Sequence, residues 1–144
     1  MQPEQSFATH RRFHPWFHFF AVPVLTIKLL VHIGLLIRYP SLVGAWGLFV
    51  AAALIVTVLL ARSYSLRQQD RIIRLEEQMR LQNLLPTELR PRINELKMSQ
   101  LIALRFCSDE ELAEVASAVL AGEIRSQDEI KKRIRKWRPD YHRI

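Results

Sequence analysis

The sequence predicts an all-α integral membrane protein, and three observations carry that prediction. Two apolar runs, 16–37 and 42–61, are each about 20 residues long, the length at which a helix crosses a hydrocarbon core. Only Arg38-Tyr39-Pro40-Ser41 separates them, which forces an antiparallel two-helix transmembrane hairpin. After residue 61 the chain becomes charged, with no Gly or Pro before Pro86, so the second helix should continue into a cytoplasmic stalk. A small bundle of about three short helices follows. The expected segments are an interfacial 1–14, a hairpin over 15–61, a stalk over 62–85 and a helical cytoplasmic module over 86–144.

Residues 1–14 are polar and carry His10, Arg11, Arg12 and His14, as suits a segment at headgroup level. Pro15 fits the first position of a helix, where its missing N–H costs nothing. Phe13, Trp16, Phe17, Phe19 and Phe20 make an aromatic band, with Tyr39 and Trp46 near the opposite face. Pro23 removes a backbone hydrogen bond and should kink the first helix. Gly44, Gly47 and Ala51 share one side of the second helix, where another backbone can approach closely. That backbone is either the first helix of the hairpin or a second protomer.

In the stalk, Ile72, Leu75 and Met79 form an apolar stripe, with Leu66, Ile73 and Leu84 nearby. Asp70 with Arg74 and Glu76 with Arg80 stand at the i,i+4 spacing of helix ion pairs. The stripe lasts roughly two heptads, short of the three or four that define a coiled coil unaided, and its apolar side calls for a protein partner. Pro86 and Pro91 end the stalk. Ile93, Leu96, Leu101 and Leu104 keep helical spacing over 92–104. Ser108 with Glu111 is a capping box opening a helix that buries Leu112, Val115, Ala116, Val119 and Leu120, and Gly122 ends it. Ser126 with Glu129 repeats the device before a last helix with Ile130, Ile134 and Trp137 on its apolar face, stopped by Pro139.

Four blocks, THRRFHPWFHFF, QDRIIRLEEQMRLQNLLP, QLIALRFCSDEEL and EIKKRIRKWRPDYHRI, occur in order from Thr9 to the end of the chain. In them the sequence resembles domain-of-unknown-function family 6526, small bacterial membrane proteins. The resemblance implies a two-pass anchor with a helical cytoplasmic part, in a bacterial inner membrane. It supplies no catalytic or binding residues.

Charge sets the expected orientation. Arg11 and Arg12 precede the hairpin, and Arg62, Arg67, Arg71 and Arg74 follow it, against Arg38 alone in the turn. Lys and Arg near membrane ends stay on the cytoplasmic side, so both termini should be cytoplasmic. A cleaved signal peptide fits poorly, because the first apolar run is too long and a second follows at once. The single Cys107 excludes an internal disulfide or a Cys-rich metal site and reads as a small buried hydrophobe.

No catalytic signature is present: no phosphate-binding glycine loop, HExxH, CxxC or nucleophile elbow. The chain therefore reads as a non-enzyme without a cofactor. Lys28 is the anomaly, since a cation at the middle of a membrane helix costs roughly 2.5–3.5 kcal/mol. His32 lies one turn on, and His18 falls toward the same side at 3.6 residues per turn. These three are the candidates for a proton-, quinone- or haem-coupled role, although the second helix offers no histidine for bis-histidine ligation and no carboxylate for Lys28. A basic surface of Lys131, Lys132, Arg133, Arg135, Lys136 and Arg138 follows an acidic helix over 108–123 that has five acids and no bases. The two either pair with each other or leave the basic side for anionic lipid, which outranks nucleic acid because the membrane is close. The expected function is an accessory or scaffold subunit that binds other proteins, or its own kind, through stalk and module. The alternatives are a redox- or proton-coupled component and a lipid or nucleic-acid binder.

Overall fold

A computed structural model describes residues 14–140. The expectations placed on His10, Arg11, Arg12, Phe13 and Tyr141 lie outside the described residues. Among the described residues there are helices and no strands. They fall into two compact units, 14–66 and 67–140, and the helix α2, Leu42–Leu84, passes from one into the other.

The first unit is a helical hairpin. A π-helix, Trp16–Ala21, leads directly into α1, Val22–Arg38. Pro23 explains the π turn. Its ring cannot pack against the carbonyl four residues back and it has no N–H to donate. The backbone answers by widening, with the Val22 N–H reaching Phe17 O five residues back. Where a kink is expected at Pro23, the chain thus shows a change of pitch before it. Tyr39 leaves the helical region, and Ser41 opens α2, its Oγ accepting from the Gly44 N–H at 3.0 Å.

Contacts along the hairpin establish an antiparallel register. Leu36 lies against Gly44, His32 against Gly47, and the Arg62 guanidinium sits 5.5 Å from the Phe17 ring centre. As the index on one arm falls from 36 to 17, its partner's rises from 44 to 62. Almost nothing in this unit is enclosed by protein: Ala51 is buried, whereas Ile37 and Val43 are about four-fifths exposed and Leu42 nine-tenths. Two helices here, Trp16–Arg38 and Leu42–Leu84, are long and apolar enough to cross a membrane. An exposed apolar surface of that extent suggests a membrane protein.

The second unit packs a helical module against the distal part of α2. Ile73, Glu77 and Leu81, spaced by four residues, are buried on one face of α2, and Leu85 just past its end continues the row. Pro86 ends the helix, because the residue before a proline is pushed out of the helical region. The Arg90 Nε then donates to Leu85 O at 3.0 Å. The stretch expected as one helix over 92–104 is two: a 3₁₀ helix, Arg90–Glu95, then α3, Met98–Leu104. The break falls at Leu96, whose backbone is extended, and α3 restarts with the Gln100 side chain accepting from the Lys97 N–H.

The helix α4, Asp109–Leu120, follows with three acids in its first turn, where the helix dipole favours them. It ends at Gly122 with φ +81°, where the Gly122 and Glu123 amides bond back to Val119 and Ala118. This is the Schellman arrangement, for which glycine suits the left-handed position. The Ser108 and Glu111 capping box does not form. Ser108 starts α4 by its backbone alone, and its Oγ is buried without a hydrogen-bond partner among the described residues. Glu111 is engaged elsewhere: its carboxylate accepts from the Arg135 and Lys136 amides at 3.3 and 2.9 Å.

That carboxylate accounts for the second departure. The helix α5, Gln127–Arg133, opens with the expected Ser126 and Glu129 box but stops before Ile134 rather than at Pro139. From Ile134 the chain is extended, its amides taken by Glu111. Its backbone bridges antiparallel to Cys107, with Ser108 N donating to Lys136 O and Arg138 N to Phe106 O. Ile134 and Trp137 still reach the core; Trp137 stacks on Phe106 at 5.0 Å between ring centres.

Replacing Glu111 by Ala should cost roughly 1–3 kcal/mol, because two backbone donors lose their acceptor. Replacing the exposed Glu110, which pairs with Lys136, should cost clearly less. Urea unfolding of the detergent-solubilised full chain checks the contrast, and equal losses would contradict it.

Candidate functional site

Three groups of residues bear on function, and the hairpin holds the first. Lys28 and His32 are half-buried on α1. The His32 Nδ1 lies 2.9 Å from the Lys28 carbonyl oxygen, which can only accept, so Nδ1 carries the proton. The Nε2 edge turns onto Gly47, where a Cβ would fall well inside van der Waals contact of the ring. Gly44 likewise faces Ser41 Oγ and Leu36, at 3.1 and 3.5 Å from where its Cβ would be. The small residues thus serve contacts inside the hairpin, and Gly47 is the notch that admits an imidazole.

His18 belongs to another environment. Its Nδ1 stays with the backbone of His14, at 3.1 Å from the amide and 3.0 Å from the carbonyl oxygen. It also sits in the π-helix, where the regular 3.6 period that aligned it with Lys28 does not hold. On α2, the Thr57 hydroxyl is spent on Ala53 O at 2.9 Å. Among the described residues, no cluster of His, Cys, Asp or Glu is placed to hold a metal ion.

The second group is a charged knot where α2 meets the module, and Arg80 is its centre. Its guanidinium reaches Asp109 at 2.6 Å, Glu77 at 3.1 Å and the Cys107 carbonyl oxygen at 2.5 Å. Glu76, the expected i,i+4 partner, is passed over for Glu77 because Arg80 must face the module to meet the other two. Glu77 is almost wholly buried, and Arg138 approaches it at 4.0 Å. Burial pushes its carboxyl above the ordinary value of 4.5, opposed by Arg80. The knot borders an open cleft of about 520 Å³ that Met79 and Asn83 also line. Cys107 behind it is enclosed, its thiol pushed up to about 12, first by burial and then by the charge of Glu111. At neutral pH it is a small apolar side chain and no nucleophile.

Sequence reasoning missed this knot, although one signal was available. Glu77 sits four residues from both Ile73 and Leu81, a carboxylate in register with an apolar stripe. Asp109 and the Cys107 carbonyl, almost thirty residues away, gave no such hint.

The third group is the basic surface, of which the acidic helix engages three of the six residues, Arg133, Arg135 and Lys136. Arg133 and Arg135 approach Glu114 at 3.9 and 3.4 Å, and Lys136 pairs with Glu110. Lys131 is buried, its ammonium 5.8 Å from the Phe106 ring centre. The pairs are exposed and each contributes little, but together they answer part of the local charge from within. The stripe Ile72, Leu75 and Met79 is different. It stands 56%, 62% and 68% exposed, about half a turn around α2 from the face that holds the module.

Two measurements follow. Gly47→Ala should destabilise the detergent-solubilised chain by pushing the His32 ring off its notch, and His32→Ala should relieve that loss. The double-mutant coupling should be about 1 kcal/mol; strict additivity would contradict the packing. Glu77 sets a pH dependence. Below its ordinary value it is protonated in both folded and unfolded chains, so its burial is then without electrostatic penalty. As pH rises through its raised folded value, the unfolded chain gives up the proton more readily and stability falls. Glu77→Gln should remove that part of the fall, measured by urea unfolding at a series of pH values above 4.5.

No curated protein and no solved structure matches the chain. A family model matches it over residues 1–144. The chain accordingly belongs to the family of unknown function DUF6526.

Proposed function

We propose that this protein is a non-enzymatic adaptor of the bacterial inner membrane, an accessory or scaffold subunit with both termini cytoplasmic. The hairpin is its anchor, and the distal part of α2 with its module is the part that binds protein. One observation carries the reading. Ile72, Leu75 and Met79 form an exposed apolar row on a helix whose other face already holds the module, so among the described residues nothing encloses it. The largely apolar, unenclosed hairpin supports the membrane anchor. The excess of Arg after residue 61 over the lone Arg38 in the turn supports the orientation.

The mutual pairing of α4 with the basic segment favours protein over lipid or nucleic acid as the main counterpart. The hydrogen bond from His32 to the Lys28 carbonyl, and the ring's seat on Gly47, favour a packing role for that pair over redox chemistry.

Two experiments test the proposal. A fluorescent reporter fused after Ile144 should fluoresce, and a phosphatase active only outside the cytoplasm should stay silent there; the reverse would overturn the orientation. In mild detergent the native chain should run larger than its own 16.9 kDa mass with detergent accounted for. Replacing Ile72, Leu75 and Met79 together by Ser should reduce that size while leaving the module folded. A native chain that is monomeric and co-purifies with nothing would sink the adaptor reading.

A further inference from the structure

The stripe on α2 has a pattern that selects its occupant. Assign Ile72 to heptad position a; Leu75 is then d and Met79 the next a. Ile72 and Leu75 supply the β-branched a with Leu at d that favours two parallel strands, and Met79 adds an unbranched apolar residue at the next a. The flanks agree. Arg71 falls at g and Glu76 at e, on opposite sides of the stripe. In a parallel, in-register pair, position g of one helix meets position e of the next heptad in its partner, so Arg71 would meet Glu76 twice by symmetry. Ile73 and Glu77, which the module covers, take b and f on the outer side. Module docking therefore leaves the seam open.

We infer that a second copy of this chain occupies the stripe, as a short parallel coiled coil across Ile72, Leu75 and Met79. The inference rests on the adaptor reading above and names its partner. Three apolar layers are too few for a soluble peptide, but both copies are held in one bilayer. Anchoring raises their effective concentration and cuts the cost of association. Insertion in the same orientation makes the two helices parallel, so the antiparallel alternative is removed.

The test uses the full chain in native membranes with Cys107→Ala as background. Leu75→Cys should form an inter-chain disulfide under mild oxidation, and Arg74→Cys, on the far side, should not. Arg71→Glu or Glu76→Arg alone places like charges at both symmetric contacts and should lower the Leu75→Cys cross-link roughly fivefold. The exchanged pair Arg71→Glu with Glu76→Arg should restore it. Equal cross-linking at positions 74 and 75, or no rescue by the exchange, would overturn the homodimer. A photo-crosslinking residue at Met79 separates the two levels of the argument. An adduct of twice the chain mass supports the second copy. An adduct of any other mass overturns the homodimer and leaves the adaptor reading standing. No adduct at all overturns both.

Discussion

A guanidinium that is nine-tenths buried must find acceptors in a fixed planar fork, and the position of Arg80 depends on finding three at once. Glu77 comes from the same helix, the Cys107 carbonyl from the loop after α3, and Asp109 from the first turn of α4. Satisfying that fork sets which face of α2 meets the module and where α4 begins. Leu81 and Leu85 are fully buried beside it, but apolar contact is indifferent to small rotations of a helix. Arg80 is not. Removing a partner would strand charge in a poorly solvated place, which costs more than the pair contributes when intact. The knot is better understood as fixing register than as adding stability.

Fixing that register has a consequence on the opposite side of α2. With Ile73, Glu77, Leu81 and Leu85 turned inward, the geometry of a 3.6-residue helix turns Ile72, Leu75 and Met79 outward. The outward row is therefore not an accident of composition. It is the remainder left when one polar constraint decides the rotation of a helix that is apolar on more than one side.

The sequence disclosed those features whose cause is local. Two spanning-length runs joined by four residues specify a hairpin, Gly122 specifies the end of α4, and Ser126 with Glu129 specifies the start of α5. It misled where a local rule met a competing long-range partner. Ser108 and Glu111 have the spacing of a capping box, yet Glu111 finds two backbone amides of 135 and 136 instead. The same contact draws residues 134–138 out of the helix that their apolar spacing suggests. The stripe Ile72, Leu75 and Met79 was visible, as were Gly44, Gly47 and Ala51. What could not be read was the polar knot, since Asp109 becomes a partner of Arg80 only after the chain has folded back.

The acidic helix and the basic segment show how the module manages its charge. Three acids in the first turn of α4 favour the helix dipole but repel one another. Arg135 and Lys136 arrive on a non-helical segment, so their amides and side chains can answer Glu110, Glu111 and Glu114 together. A helix continued through these residues would hold its amides in its own ladder and could offer side chains alone. Ending α5 at Arg133 is thus the condition for neutralising α4. It leaves Arg133, Arg135 and Lys136 paired with α4, while Ile72, Leu75 and Met79 stay exposed on the far face of α2.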